Sequence, residues 1–142
     1  MSEFAWNLDE PWEIAWGPDD HLWVTEHKGR VKRLNPVTGE IKEVLHIPQV
    51  YFGWTTGLLA MALHPDFETD PFVFLHHTYV DSTITEIDNY GRSNNVRSRI
   101  VRYCYFAEED TLQYEEAILP NIPGSGHHNG SRMTVTADKK II

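Results

Sequence analysis

The sequence predicts an all-β protein built as an incomplete β-propeller, and three observations carry that prediction. An apolar run ending in a turn with aspartate occurs three times: IAWGPD at 14–19, GLLAMALHPDF at 57–67 and MTVTAD at 133–138. The aspartates Asp19, Asp66 and Asp138 lie 47 and then 72 residues apart, near the roughly 40–50 residues of a propeller blade. Each run is soon followed by a second apolar run, HLWVT, FVFLHHTYV and the terminal KII. Short strands repeated at this period describe stacked four-stranded units.

Taken in order, residues 12–16, 21–27, 30–35 and 40–47 read as four strands, because their apolar residues alternate or cluster. Gly17-Pro18-Asp19-Asp20, Lys28-Gly29 and 35–39 (NPVTG) separate them as turns. Four strands in under forty residues make a meander, which is one blade; a small sandwich or open sheet is the alternative for this unit taken alone. A second unit repeats the layout at 58–63, 72–80, 97–106 and 113–119. A long polar insertion at 81–96 separates its second and third strands, and a loop of that length inside a domain is usually functional or mobile. The third unit begins near His128 and reaches two strands at most, with KKII as the second just beginning. Residues 1–142 are therefore expected to be one partial propeller domain, truncated at the C-terminus. Its open sheet edges predict marginal stability and self-association.

Composition narrows the function. Twelve Lys and Arg against 21 Asp and Glu give a formal charge of −9, which repels phosphate backbones and anionic membranes and argues against nucleic-acid binding. An apolar fraction of 41%, with five Trp, six Tyr and six Phe, supplies a core and argues against disorder. The Trp set, Trp6, Trp12, Trp16, Trp23 and Trp54, is assigned mainly to core and blade packing rather than to sugar stacking. The single cysteine, Cys104, reads as a small buried hydrophobe within a strand and leaves the redox compartment open. No window is apolar for the ~18 residues of a membrane span, and the N-terminus lacks a signal-peptide pattern, so a leader was either removed or never included.

Chemistry concentrates in GSGHHNGSR at 124–132, a glycine-rich turn carrying paired imidazoles and feeding a strand at 133–136. Histidine titrates near neutrality, so an imidazole here can accept a proton from a hydroxyl while a hydride leaves the same carbon; an ordinary turn histidine is the alternative. The pairs His76-His77 and His127-His128 also invite a zinc reading. Neighbours on a strand face opposite ways, so His76 and His77 cannot both reach one ion without a bulge. His64, before Pro65, reads as a turn residue, and no metal site is assigned.

Together, the run PWEIAWGPDDHLWVTEHKGRVKRLNPVTGEIKEV, then GLLAMALHPDF, SRIVRYCYF and the P-G-x-x-H-H-N-G-S-R segment resemble the N-terminal part of the soluble quinoprotein sugar dehydrogenases. These are the glucose/sorbosone and aldose dehydrogenases that use pyrroloquinoline quinone (PQQ). The resemblance is collinear over almost the whole chain and implies a six-bladed ring, of which this chain would supply two blades and the start of a third. It implies oxidation of the anomeric hydroxyl of an aldose to a lactone, with the electron acceptor left open. Matching the family's H-x-x-x-R pattern makes His128 the general base. His127 stands where glucose-type members tend to carry an acidic residue, and Thr55 where a glutamine or glutamate contacts the sugar. Both would touch substrate here, and both imply either a different sugar preference or an impaired copy. Arg132 is grouped with them as substrate-binding; it could instead hold a carboxylate of the quinone or pair with an Asp or Glu between blades. Calcium and most PQQ contacts are implied on later blades, which would leave this chain inactive alone. Relatives are generally periplasmic or secreted. The competing readings are a calcium-dependent lactonase-type propeller and a non-catalytic propeller segment used for binding or assembly.

Overall fold

The turn chemistry read from the sequence closes two antiparallel meanders. The computed structural model describes residues 7–85, 87 and 94–142. Strands β1 (Pro11–Trp16), β2 (Leu22–Glu26), β3 (Arg30–Leu34) and β4 (Ile41–His46) form one sheet in sequential order. Strands β5 (Leu58–Leu63), β6 (Phe72–Val80), β7 (Val96–Phe106) and β8 (Thr111–Pro123) form the second. Among the described residues there is no helix, and so none long and apolar enough to cross a membrane. The β1–β2 turn closes through Gly17 N–H to the His21 carbonyl at 2.7 Å, and Asn35 Oδ1 accepts the N–H groups of Val37 and Thr38 in the β3–β4 turn.

The sheets pack face to face, with β1 beside β5 and β4 beside β8. First strands thus gather on one side and last strands on the other, the arrangement of successive propeller wedges. Trp23 is fully buried between the sheets, edge-on to Phe67 and Tyr105 at 5.8 and 5.2 Å. Its indole N–H donates to Asp19 Oδ1, and Arg33 joins Asp19 Oδ2 at 2.7 Å while covering the Trp23 and Tyr105 rings. The aspartate that ends the first apolar run therefore ties turn, core and the neighbouring strand β3 together. Truncating Trp23 to alanine would cost about 3–5 kcal/mol.

Two elements differ from the sequence reading by more than a residue or two at their ends. Strand β8 runs to Pro123 rather than stopping at Leu119, because a bulge between Ser98 and Ile100 absorbs Pro120 and Asn121, the latter at φ 58°. As the edge of its sheet, β8 can carry prolines without breaking an inner ladder. Residues 133–136 form no regular strand; Val135 bridges Ile141 and Thr134 exchanges backbone hydrogen bonds with Ile142, so among the described residues the segment pairs with residues 140–142 alone. Most of the tip of the polar insertion, residues 86 and 88–93, lies outside the described residues, as does Trp6. Cys104 is half-buried rather than buried, its thiol 4.0 Å from the Tyr105 carbonyl.

Candidate active site

One end of both sheets gathers the candidate residues. Pro11 of β1 pairs with Glu26 of β2, Leu58 of β5 with His77 of β6, and Arg97 of β7 with Pro123 of β8, so segments 51–57 and 124–132 leave from the same rim. Leu58 N–H donates to the His27 carbonyl at 3.0 Å, which joins the two sheets there. His27 is buried, stacked on Trp12 at 5.2 Å and edge-on to Phe52 at 6.4 Å. Gly57, at φ 151°, lies against that ring: a Cβ would fall 2.2 Å from His27 Cδ2, so only glycine fits.

Behind Gly57, the buried Thr78 fixes the turn. Its hydroxyl accepts the Gly57 N–H at 2.8 Å and donates to the Tyr51 carbonyl at 2.6 Å. Gly53 and Thr56 exchange backbone hydrogen bonds, which makes a four-residue turn with Trp54 and Thr55 at its tip. This rigid turn holds Thr55 toward the second loop. The His128 N–H donates to Thr55 Oγ1 across 73 residues of sequence. His128 itself sits at φ 59°, a left-handed position that this bond helps to hold.

The loop around His128 closes on itself through Asn129. Asn129 Nδ2 donates to the Ser125 carbonyl at 2.6 Å, Ser125 N–H donates to Asn129 Oδ1, and His127 N–H donates to Ser125 Oγ. The His127 ring stands edge-on to both Trp54 and His128, each at 6.3 Å. Both imidazoles are exposed, and among the described residues nothing hydrogen-bonds to the ring nitrogens of His128. Such a ring is accessible to a hydroxyl and able to take its proton.

Arg132 stands apart from this cluster. It lines a cleft of about 290 Å³ between β1, β5 and residues 132–135, and its guanidinium is 3.9 Å from Glu13 Oε1. Its side chain is 86% exposed. Thr55, His127 and His128 do not line that cleft. The structure therefore brings together three of the four residues singled out in the sequence and places the fourth near Glu13 of the first unit.

Two of the other histidines, His77 and His64, have structural partners. His77 is fully buried and accepts from Arg99 Nε at 3.0 Å, whereas its neighbour His76 lies on the opposite face of β6. His64 accepts the Asp66 N–H at Nδ1, as a turn residue does. Ligand atoms of His64, Asp66 and Asp70 lie within 4.8 Å of one another, but the Lys139 ammonium is already 3.1 and 3.4 Å from the two carboxylates.

Trp54 departs from the core and blade packing that its residue type predicts. Its ring is 86% exposed instead of packed in a core, and Trp12 and Trp16 are likewise exposed. Placement of Trp54 between Gly53 and Gly57 in GWTTG is the signal of a turn tip.

A family model described as Glucose / Sorbosone dehydrogenase matches residues 8–142. The chain belongs to that family. It is 34% identical over 95% of its length to quinoprotein glucose dehydrogenase B of Acinetobacter calcoaceticus, covering 28% of that protein. It is 25% identical over 89% of its length to an aldose sugar dehydrogenase of Escherichia coli K12, covering 32% of it. The PQQ-bound structure of an aldose sugar dehydrogenase from Streptomyces coelicolor superposes with a TM-score of 0.81 at 26% identity, covering 99% of this chain and 39% of that one. The chain thus spans between about a quarter and two fifths of the length of these relatives.

Proposed function

We propose that this chain forms the first part of a six-bladed quinoprotein sugar dehydrogenase that oxidises the anomeric hydroxyl of an aldose to a lactone. The observation that carries the reading is the bond from His128 N–H to Thr55 Oγ1, which fixes an exposed imidazole on the rim of two wedge-packed sheets. In this reading His128 accepts the hydroxyl proton. The Thr55 hydroxyl, already an acceptor, has its own proton free among the described residues to donate to the sugar. His127 flanks the same space.

The donor set fits a quinone bearing carboxylates only in part: the exposed guanidinium of Arg132 suits one such carboxylate. When bound, PQQ supplies the electron sink for the hydride. Calcium and the remaining cofactor contacts are assigned to sequence beyond these two sheets. Export to the periplasm or the medium follows from the resemblance. Among the described residues no carboxylate pairs with the loop at 125–129, which favours this reading over a hydrolase built on carboxylate-bound calcium.

The test is dye-linked glucose oxidation by the full reading frame containing this chain, with PQQ and calcium added. His128→Ala should lower kcat by at least about 100-fold, the usual contribution of a general base. Undiminished turnover in that variant would remove His128 from the chemistry.

A further inference from the structure

Trp54 combines two features that stability alone does not favour. Its indole is 86% exposed, and its backbone sits at φ 54°, a left-handed conformation that bulky side chains rarely adopt. Glycine or asparagine would hold this turn with less strain and would expose no apolar ring. Strain kept at a residue whose side chain buries nothing points to a use for that side chain.

Its surroundings indicate the use. Trp54 is edge-on to His127 at 6.3 Å and 79°, and the next residue, Thr55, accepts the His128 N–H. A Cβ placed on Gly53, Gly126 or Gly130 would meet nothing within 4 Å, so both loops flanking the indole border open space. A flat aromatic face therefore stands beside a hydroxyl and two imidazoles. A pyranose has matching chemistry: C–H bonds on one face of the ring and hydroxyls around its edge.

We propose that Trp54 is a specificity-determining residue, the stacking platform that receives the C–H face of an aldopyranose while its hydroxyls reach Thr55, His127 and His128. This rests on the sugar-dehydrogenase reading above. The platform selects a cyclic aldose over a linear polyol, which presents no flat face.

Titration of the ¹⁵N-labelled full reading frame containing this chain with D-glucose, and separately with sorbitol, tests it by NMR. The Trp54 indole signal, assigned by its loss in Trp54→Asn, should shift saturably with glucose and not with sorbitol. In Trp54→Asn, glucose affinity read at the His128 amide should fall roughly tenfold, as loss of a stacked ring implies. Its melting temperature should hold or rise, because asparagine suits the left-handed backbone; Trp54→Phe should bind nearly as wild type. Unchanged glucose affinity in Trp54→Asn would overturn the platform and leave the sugar site standing. A lowered melting temperature in that variant would make the ring structural and also overturn the platform. Absence of any aldose response at both signals of the wild type would sink the platform and the sugar site together.

Discussion

Arg99 Nε lies 3.0 Å from His77 Nε2, so that nitrogen accepts and the imidazole carries its proton on Nδ1, facing the Thr78 carbonyl. Burial pushes the His77 pKa down from 6.5 to about 4, the Thr78 carbonyl opposes the shift and the Arg99 charge adds to it. Glu115 pairs with Arg99 at 3.2 Å and accepts the Tyr103 hydroxyl, completing a polar cluster at the edge of the inter-sheet core.

This arrangement predicts acid sensitivity. Unfolded, His77 binds a proton below about pH 6.5; folded, it stays neutral down to about pH 4. Its contribution is therefore complete above 6.5 and is lost as the pH falls toward 4, on the order of 3 kcal/mol in total. Urea unfolding between pH 4 and 7.5 should show that decline, and His77→Gln should flatten it. An equally steep decline in the variant would assign the acid sensitivity elsewhere.

Gly57 predicts a packing limit. An added methyl would collide with His27 Cδ2 and with the His27 carbonyl that accepts the Leu58 N–H, and neither can retreat without parting the sheets. Gly57→Ala should lower the melting temperature by roughly 5–10 °C. A change within 1 °C would show that His27 has somewhere to go.

Much of the fold could be read from the chain because its turns are local. Gly17-Pro18-Asp19, Lys28-Gly29 and Asn35 each close through hydrogen bonds to residues only two to four positions away, so their residue types announce them. Strand β8 extends past Leu119 through Pro120 and Pro123, which ordinarily end strands, and pairing with β7 through a bulge is what carries them, a feature no local pattern announces. In the candidate site, the glycine-rich setting marks the segment 124–132, and only the H-x-x-x-R match to the family singles out His128 within it. Its bond to Thr55 carries no such mark, since it depends on how two distant loops leave the same rim. At Trp54 residue type favours burial, whereas the left-handed turn tip decides exposure.

The edge strand β8 predicts self-association. It is 13 residues long, nearly all of it beyond Leu112 is exposed, and Tyr114 and Leu119 present apolar side chains there. Such an edge is a template for a second chain. Sedimentation velocity should show concentration-dependent association at micromolar levels, reduced by Leu119→Lys. A single monomer peak for the wild type at every concentration would show that the bulges in β8 already block pairing.

The bond between Thr55 and His128 predicts that losing it selectively loosens the loop around His128. Thr55→Val keeps the shape and removes the acceptor, leaving the His128 N–H to water and its left-handed backbone without a tether. An exposed hydrogen bond of this kind is worth about 1 kcal/mol, so exchange of the His128 amide should accelerate roughly fivefold. The amide of Gly57, bonded to Thr78 on the buried side of the same turn, should not change. Thr55→Ser should restore the slow rate because a hydroxyl returns. If Val and Ser variants exchange alike at His128, the Asn129 bonds to Ser125 hold the loop by themselves, and Thr55 is left with no part in positioning His128.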